Sequence, residues 1–232
     1  MKKVLPINIA SQPDDTTCGP TSLHAIYDYY GDAIKLEKVI KDINQHAEGG
    51  GTFAVVLGQH ALKRGFKATL YSYNINIFDP SWFKLEKKEL ISKLKERSSK
   101  RKGIKLKAAI AEYVKYLEDG GTIAFESLSK DLIETILNSD TPILTGLSST
   151  WLYQSKRENS ISNKVDDIAG DPAGHFVIIN GLNGNTVYIA DPYIKNPINN
   201  DHFYKIDLDS LINAILLGIT SYDGNLLVIQ RK

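Results

Sequence analysis

The stretch SQPDDTTCGPTSLHAIYDYYG, residues 11–31, contains the only cysteine of the 232-residue chain. After two threonines, either of which can cap a helix, apolar residues recur at helical spacing. Pro20 suits the first turn of a helix, where backbone amides need no intrahelical partner, and Gly31 can end the helix. The pattern predicts a helix that begins near Cys18 and holds its thiol at the helix N-terminus.

Length and composition limit the kind of protein that this chain can be. With 42% hydrophobic residues it can bury one substantial core, so we expect a single domain over residues 1–232. Its 28 Lys and Arg residues against 27 Asp and Glu residues give no reason to expect a nucleic acid or a membrane surface as partner. One cysteine forms no internal disulfide and no Cys-rich zinc site, and we expect no metal or other cofactor. The sequence therefore predicts a cytoplasmic protein.

Helical patterns dominate the first part of the chain, and strand patterns dominate the second. Four segments have the apolar, β-branched and aromatic content of strands: FKATLYSYNI, TPILTGLS, HFVIINGLNGNTVYIADP and NLLVIQRK. This order favours an α+β domain with an antiparallel sheet. Residues 149–173 lack periodicity, and a loop of that length is usually functional or disordered.

Charge is concentrated in one helical segment, residues 81–118, which has a break at 98–103. Within it, residues 84–107 contain 11 Lys and Arg residues against 3 Asp and Glu residues. A solvated pair of helices is the plain interpretation, and a surface for an anionic substrate or partner is the alternative.

The chemistry expected of Cys18 depends on its protonation state. Only a thiolate is a useful nucleophile, and an ordinary thiol pKa of about 8.5 leaves a few per cent ionised at neutral pH. A helix N-terminus stabilises an anion by about 0.3–1 kcal/mol, less than the roughly 1.36 kcal/mol that corresponds to one pKa unit. A catalytic Cys18 therefore needs a histidine whose imidazolium pairs with its thiolate.

His175 is the histidine best suited to that role. His24 lies six residues along the same predicted helix as Cys18, roughly 9 Å away and a third of a turn round, and cannot reach the thiol. Three others occupy polar or turn positions typical of structural or solvated residues: His46, His60 and His202. His175 opens a predicted strand, and the strand paired with it ends at Asp191.

Whether the loop of the predicted hairpin has an odd or an even number of residues, its parity, decides whether Asp191 can orient the imidazole. A three-residue loop over 183–185 would place Val177 opposite Asp191 and His175 on the same face. A two-residue loop would turn Asp191 to the other face. A triad therefore requires an odd loop or a bulge. Without either, Asn180 or water would be the candidate orienting group.

An oxyanion that forms on a substrate carbonyl also needs hydrogen-bond donors. The Cys18 N–H at a helix start is one donor without an intrahelical partner. Gln12, six residues upstream, carries a neutral amide suited to be the second, although alone it would be an ordinary surface glutamine. The candidate catalytic residues are therefore Cys18, His175, Asp191 and Gln12, a joint placement that an inert buried thiol would not explain.

These four residues occur in the order seen in papain-like cysteine peptidases. The segments QPDDTTCGPTSL, GHFVIING and VYIADP resemble the branch typified by bacteriocin-processing peptidases, which cut after double-glycine leaders, and GGGTF and ALKRGF extend the likeness. The resemblance implies a papain-like α+β fold, with an N-terminal helical subdomain packed on a C-terminal antiparallel sheet and a cleft between them. The charged helical segment at about 81–118 is then an insertion.

The resemblance implies a thiol-dependent hydrolase, a peptidase or amidase, acting on a peptide or amide substrate. Cys18 would attack a carbonyl, His175 would protonate the leaving amine, and water would release the acyl-enzyme. An acyltransferase or transpeptidase using the same thioester is the alternative, and a non-catalytic binding module is a third. Sequence alone does not decide the substrate or the oligomeric state.

Five further residues are expected to bind substrate. The GGGTF loop supplies three of them through the resemblance: Gly50, Gly51 and Thr52. Trp151 and Tyr153, at the start of the loop 149–173, either line the cleft or anchor the loop.

Overall fold

The computed structural model describes residues 2–43, 52–159, 162 and 164–232. The first three helices along the chain are α1 Cys18–Tyr29, α2 Leu36–Asp42 and α3 Ala54–Lys63. Helix α1 begins at Cys18, as the sequence predicts, and is followed by Gly31 in the left-handed conformation, with φ of 66°.

The charged segment forms two helices, α4 Lys87–Lys100 and α5 Ile104–Glu118, preceded by a 3₁₀ turn at Pro80–Trp82. Leu90 and Leu94 of α4 are buried, and so are Ile110 and Tyr113 of α5, whereas most of the lysines face solvent. The amphipathic pattern and its interruption before Ile104 account for the helical pair that the sequence predicts.

Eight strands form one sheet: β1 Lys2–Val4, β2 Lys67–Ser72, β3 Thr122–Ala124, β4 Ile143–Ser148, β5 Gly174–Asn183, β6 Thr186–Ala190, β7 Phe203–Asp207 and β8 Asn225–Gln230. Their order is β3-β2-β8-β4-β5-β6-β7, and β1 pairs with β5. The expectation of an antiparallel sheet holds except for β2 and β3, which are parallel. The remaining helices are α6 Lys130–Asn138, α7 Ser149–Leu152 and α8 Leu208–Leu217, followed by a 3₁₀ turn at Gly218–Ser221.

The sheet separates two hydrophobic cores. Helices α1, α3 and α5 pack on one face against a set that includes Leu144, Phe176, Ile178 and Leu227. Helices α6 and α8 cover the other face, against a set that includes Ile143, Val177, Ile179 and Val228. The resulting architecture is α+β, with the helical N-terminal part and the sheet meeting where α1 contacts β5. None of the helices in the described ranges has the length and apolar character needed to cross a bilayer.

The hairpin of β5 and β6 satisfies the parity requirement through a bulge. Asn183 pairs with Thr186, so the turn consists of the two residues 184 and 185, and Gly184 has φ of 62°. The hypothesis of a three-residue loop is therefore wrong. The register then shifts by one residue around Asn180, and Ile178 faces Ala190. A two-residue turn alone would place His175 and Asp191 on opposite faces of the hairpin. Because β5 has one extra residue at the bulge, the two residues lie on the same face.

Candidate active site

The first turn of α1 packs closely on β5, which brings Cys18 to His175. A Cβ atom at Gly19 would lie 3.2 Å from Cδ2 of Phe176 and 3.3 Å from Cδ1 of Leu57. The Ser22 hydroxyl donates to the Phe176 carbonyl at 3.3 Å. Since Phe176 follows His175 directly, these contacts fix the start of α1 beside the imidazole. The Cys18 thiol is partly exposed there.

His175 and Asp191 form a buried pair, with 2.8 Å between Nε2 and Oδ1. Burial by itself lowers the pKa of His175. The charges of Asp191 and Cys18 and hydrogen bonds to both outweigh burial and raise the pKa of His175 to about 10. The imidazole is therefore protonated at neutral pH, with Nε2 bound to Asp191 and Nδ1 left for Cys18.

Asp191 accepts hydrogen bonds from three further donors. The hydroxyls of Tyr153 and Tyr204 lie 2.6 and 2.7 Å from Oδ2, and the Tyr193 N–H lies 2.8 Å from Oδ1. Burial opposes ionisation, but His175 and these donors hold the pKa of Asp191 below its ordinary value of 3.8. The carboxylate is therefore charged and fixed in orientation, and it fixes the imidazole in turn.

The two aromatic residues expected to bind substrate lie in different surroundings. Tyr153 uses its hydroxyl on Asp191, and its ring centroid is 6.0 Å from that of His175. Trp151, 41% exposed, borders a separate cavity of about 470 Å³ together with Lys156 and Leu217. Tyr153 therefore positions the Asp191 carboxylate, whereas Trp151 borders a cavity whose lining includes neither His175 nor Asp191.

Gln12 joins the loop before Cys18 to the end of β6. Its backbone N–H donates to the Pro192 carbonyl at 2.9 Å, and its side-chain Nε2 donates to the Asp14 carbonyl at 2.9 Å. The amide group has a second N–H beyond the one that binds the Asp14 carbonyl.

His202, which the sequence predicts to be structural or solvated, is a structural residue. Its Nδ1 donates to the Asp191 carbonyl at 2.6 Å, and its Nε2 is 3.1 Å from the Ser11 hydroxyl. It thereby connects the loop that carries Gln12 to the residue that orients His175. The sequence offers no signal for this contact, because β7 was not predicted and His202 immediately precedes it.

The other expected residues lie away from this pair or outside the described ranges. Nε2 of His24 is 3.0 Å from the Ile34 carbonyl oxygen, and Nδ1 of His60 is 2.7 Å from the Tyr27 hydroxyl oxygen, as expected for structural histidines. Thr52 is buried. Gly50, Gly51 and His46 lie outside the described residues. Within the described part of the chain, no group of three or more His, Cys, Asp or Glu side chains could hold a metal ion.

The predicted ion pair between the Cys18 thiolate and the His175 imidazolium should give a distinctive pH dependence of alkylation. Because the imidazolium persists well above neutral pH, we expect iodoacetamide to modify Cys18 readily at pH 6–7. In His175→Ala the rate at pH 7 should fall by about 10- to 30-fold, since an ordinary thiol is only a few per cent ionised there. Intact-mass spectrometry at timed intervals measures both rates. Identical pH profiles for the wild type and the variant would contradict the ion pair.

Gln12 should affect turnover more than stability. Loss of one oxyanion donor typically lowers kcat by about 10² to 10³, whereas truncating a loop side chain changes stability by roughly 0.5 kcal/mol. We therefore expect Gln12→Ala to unfold at nearly the wild-type denaturant concentration while losing most of its turnover. Gln12→Glu is the matched control, because it keeps the size of the side chain but removes its N–H donors. Unaltered turnover in both variants would exclude Gln12 from the oxyanion hole.

The sequence and the fold are similar to those of known proteins. Residues 4–207 match the Peptidase_C39 like family. No sequence among the curated proteins matches the chain. A crystal structure from Bacillus anthracis, described as a C39-like peptidase, is 14% identical, with a TM-score of 0.50 over 100% of this chain and 98% of that one.

Two further solved structures are similar at lower TM-scores. A double glycine motif protease from an AMS/PCAT transporter, in complex with the leader peptide, is 16% identical, with a TM-score of 0.47 over 100% of this chain and 99% of that one. The peptidase domain of Streptococcus ComA, a bifunctional ABC transporter of a quorum-sensing pathway, is 12% identical. Its TM-score is 0.47, and the similarity covers 98% of this chain and 100% of that one. The family match spans most of the sequence. The chain therefore belongs to the peptidase C39-like family and is a cysteine peptidase with a papain-like fold.

Proposed function

We propose that this peptidase hydrolyses peptide bonds through a Cys18–His175–Asp191 triad and a covalent acyl-enzyme. The observation that most directly supports the proposal is the hydrogen bond between His175 and the buried carboxylate of Asp191, with Cys18 at a helix N-terminus on the other side of the imidazole. In the proposed mechanism this arrangement supplies a thiolate nucleophile and a proton donor next to each other.

The proposed reaction has two stages. The Cys18 thiolate attacks the carbonyl carbon, and the negative oxygen is stabilised by the Cys18 N–H and the Gln12 amide. His175 then gives its proton to the leaving amine as the C–N bond breaks, which leaves a thioester on Cys18. In the second stage His175 takes a proton from water, the hydroxide attacks the thioester carbon, and the C–S bond breaks, so that the acid product leaves and the thiolate–imidazolium pair is restored. Asp191 keeps the imidazole oriented throughout and is not itself protonated.

Membership of a peptidase family supports hydrolysis rather than acyl transfer. A transferase or transpeptidase would use the same thioester but resolve it with an amine. Because the free thiolate must persist, we further propose that the protein works in a reducing compartment such as the cytoplasm.

A peptide library tests the proposed function. Wild-type protein and Cys18→Ala are incubated with amine-blocked peptides from a digested proteome, and newly formed amino termini are identified by mass spectrometry. We expect new termini with the wild type only, and unchanged products when millimolar amine acceptors are added. Amine-capped products would indicate acyl transfer, and an absence of new termini would contradict the peptidase proposal.

A further inference from the structure

We propose that Asp223 forms a binding site for a cationic side chain, lysine or arginine, of the peptide substrate, in the part of the cleft next to His175. This inference rests on the proposed function and adds a specificity to it.

Two glycines place the Asp223 carboxyl group against the sheet. A Cβ atom at Gly146 would lie 2.8 Å from Oδ1, and one at Gly174 would lie 2.6 Å from Oδ2. Because glycine has no side chain, both positions leave space on the sheet, and the Asp223 carboxyl group fills it. Gly174 directly precedes His175 on β5, so the carboxyl group packs on the strand beside the proposed proton donor, although successive side chains of a strand point to opposite faces.

The carboxyl group also lies on the face of the sheet that carries Cys18. Gly146 is paired with Phe176, and a Cβ atom at Gly146 would lie 3.0 Å from Cε1 of Phe176 as well as close to Asp223. Phe176 is the residue against which Gly19 of α1 packs. Asp223 is therefore on the α1 side of the sheet, between the helical part and the strands.

The carboxyl group of Asp223 is buried and incompletely hydrogen-bonded. The residue is 7% exposed, and its one hydrogen-bond donor among the described residues is the Ser221 hydroxyl, 3.0 Å from Oδ2. Oδ1 has no donor within the described part of the chain. A buried carboxylate without a cation is energetically costly, and a substrate ammonium or guanidinium group would remove that cost.

Two cationic groups of the protein act on Asp223 from a distance. Lys105 of α5 and His175 of β5 both favour its ionised form, but Nζ of Lys105 lies over the Tyr222 ring, 5.4 Å from the centroid, and Nε2 of His175 is bound to Asp191. Burial is the larger influence, and it raises the pKa of Asp223 to about 7. The attraction for a cation should therefore strengthen as the pH rises through 7.

The turn that carries Asp223 is held in a fixed conformation. Tyr222 has φ of 70°, an uncommon value for a residue with a side chain, and Gly224 has φ of 77°. The Asp223 N–H donates to the Gly218 carbonyl and the Gly224 N–H donates to the Gly146 carbonyl, at 3.0 and 3.1 Å. The carboxyl group is thus preorganised for a ligand.

Matched electrophilic peptides test this site without requiring turnover. Peptidyl acyloxymethyl ketones label a reactive cysteine, and pairs are made that differ only by lysine or norleucine at one of the three positions before the ketone. The second-order rate of Cys18 labelling is measured by intact-mass spectrometry for the wild type, Asp223→Asn and Asp119→Asn. Asp119 is an exposed residue at the end of α5, about 21 Å along the helix from Lys105, and serves as the control.

At one of the three positions we expect the wild type and Asp119→Asn to prefer lysine by about tenfold, and Asp223→Asn to lose the preference while labelling with norleucine at the wild-type rate. Equal iodoacetamide rates show that the variant is folded. A preference that survives in Asp223→Asn, equal loss with both peptides, or no lysine preference would overturn the inference. If the lysine preference is found but the peptide library yields no new termini, the proposed function fails and the cation site stands.

Discussion

Replacing Cys18 with alanine is expected to reduce peptide hydrolysis by about 10⁴- to 10⁶-fold in kcat, the range seen when a triad nucleophile is removed. Because Cys18 is the only cysteine of the chain, no second thiol can support residual activity. The measurement is kcat for a peptide taken from the library experiment.

The stability of Cys18→Ala provides the control for this prediction. The side chain is small and partly exposed, so the variant should unfold at close to the wild-type denaturant concentration. A folded Cys18→Ala protein with more than a few per cent of wild-type turnover would contradict the assignment of Cys18 as the nucleophile.

Replacing Asp191 with alanine has the second largest expected effect, because the change acts on both turnover and folding. Without the carboxylate, His175 loses its orientation, and kcat should fall by about 10² to 10⁴, less than for the nucleophile. The change also leaves His175, Tyr153 and Tyr204 without an acceptor. Breaking a buried ion pair costs about 3–5 kcal/mol in the free energy of unfolding, which chemical denaturation measures.

Two conservative variants separate these effects. Tyr204→Phe removes one hydrogen bond to Asp191 and keeps the ion pair, so it should lose roughly 1 kcal/mol of stability and little turnover. Asp191→Asn keeps the size of the side chain but removes the charge, so it should lose turnover more than packing. Wild-type kcat in Asp191→Ala would remove this residue from the triad.

The pH dependence of stability gives the Asp191 prediction a second measurement. Since the pKa of Asp191 is lowered from 3.8, its stabilising contribution is complete above that value and is lost as the pH falls. Since the pKa of His175 is raised from 6.5 to about 10, its contribution is complete below pH 6.5 and is lost as the pH rises towards 10. The difference in unfolding free energy between wild type and Asp191→Ala should therefore be largest between pH 4 and 6.5 and smaller on either side.

The sequence was sufficient to predict the parts of the fold and site that depend on local pattern. The start of α1 at Cys18, the hairpin of β5 and β6 and the parity condition linking His175 to Asp191 all follow from spacing and turn chemistry. The condition allowed either an odd loop or a bulge, and the bulge around Asn180 could not be located from the sequence, because the Asn180 amide binds the Leu5 carbonyl from a distant part of the chain.

The strands and site residues that could not be predicted from the sequence depend on contacts between distant elements. Strands β1, β3 and β7 have only three to five residues and lack a strong alternating pattern, so their pairing is set by the sheet they join. Tyr204 on β7 and His202 just before it therefore could not be placed beside Asp191. The burial of Asp223 likewise depends on two glycines from different strands, Gly146 and Gly174.

The proposed mechanism requires that Cys18 forms a covalent acyl intermediate with the help of His175. The direct measurement is rapid-quench intact-mass spectrometry with p-nitrophenyl esters of N-blocked dipeptides, followed by fragmentation to locate the adduct. We expect one acyl group on Cys18 that forms within the first turnover and then decays in the wild type, forms much more slowly in His175→Ala, and is absent from Cys18→Ala. Steady hydrolysis by the wild type with the acyl group on another residue, or the same adduct formed equally fast in His175→Ala, would contradict this mechanism.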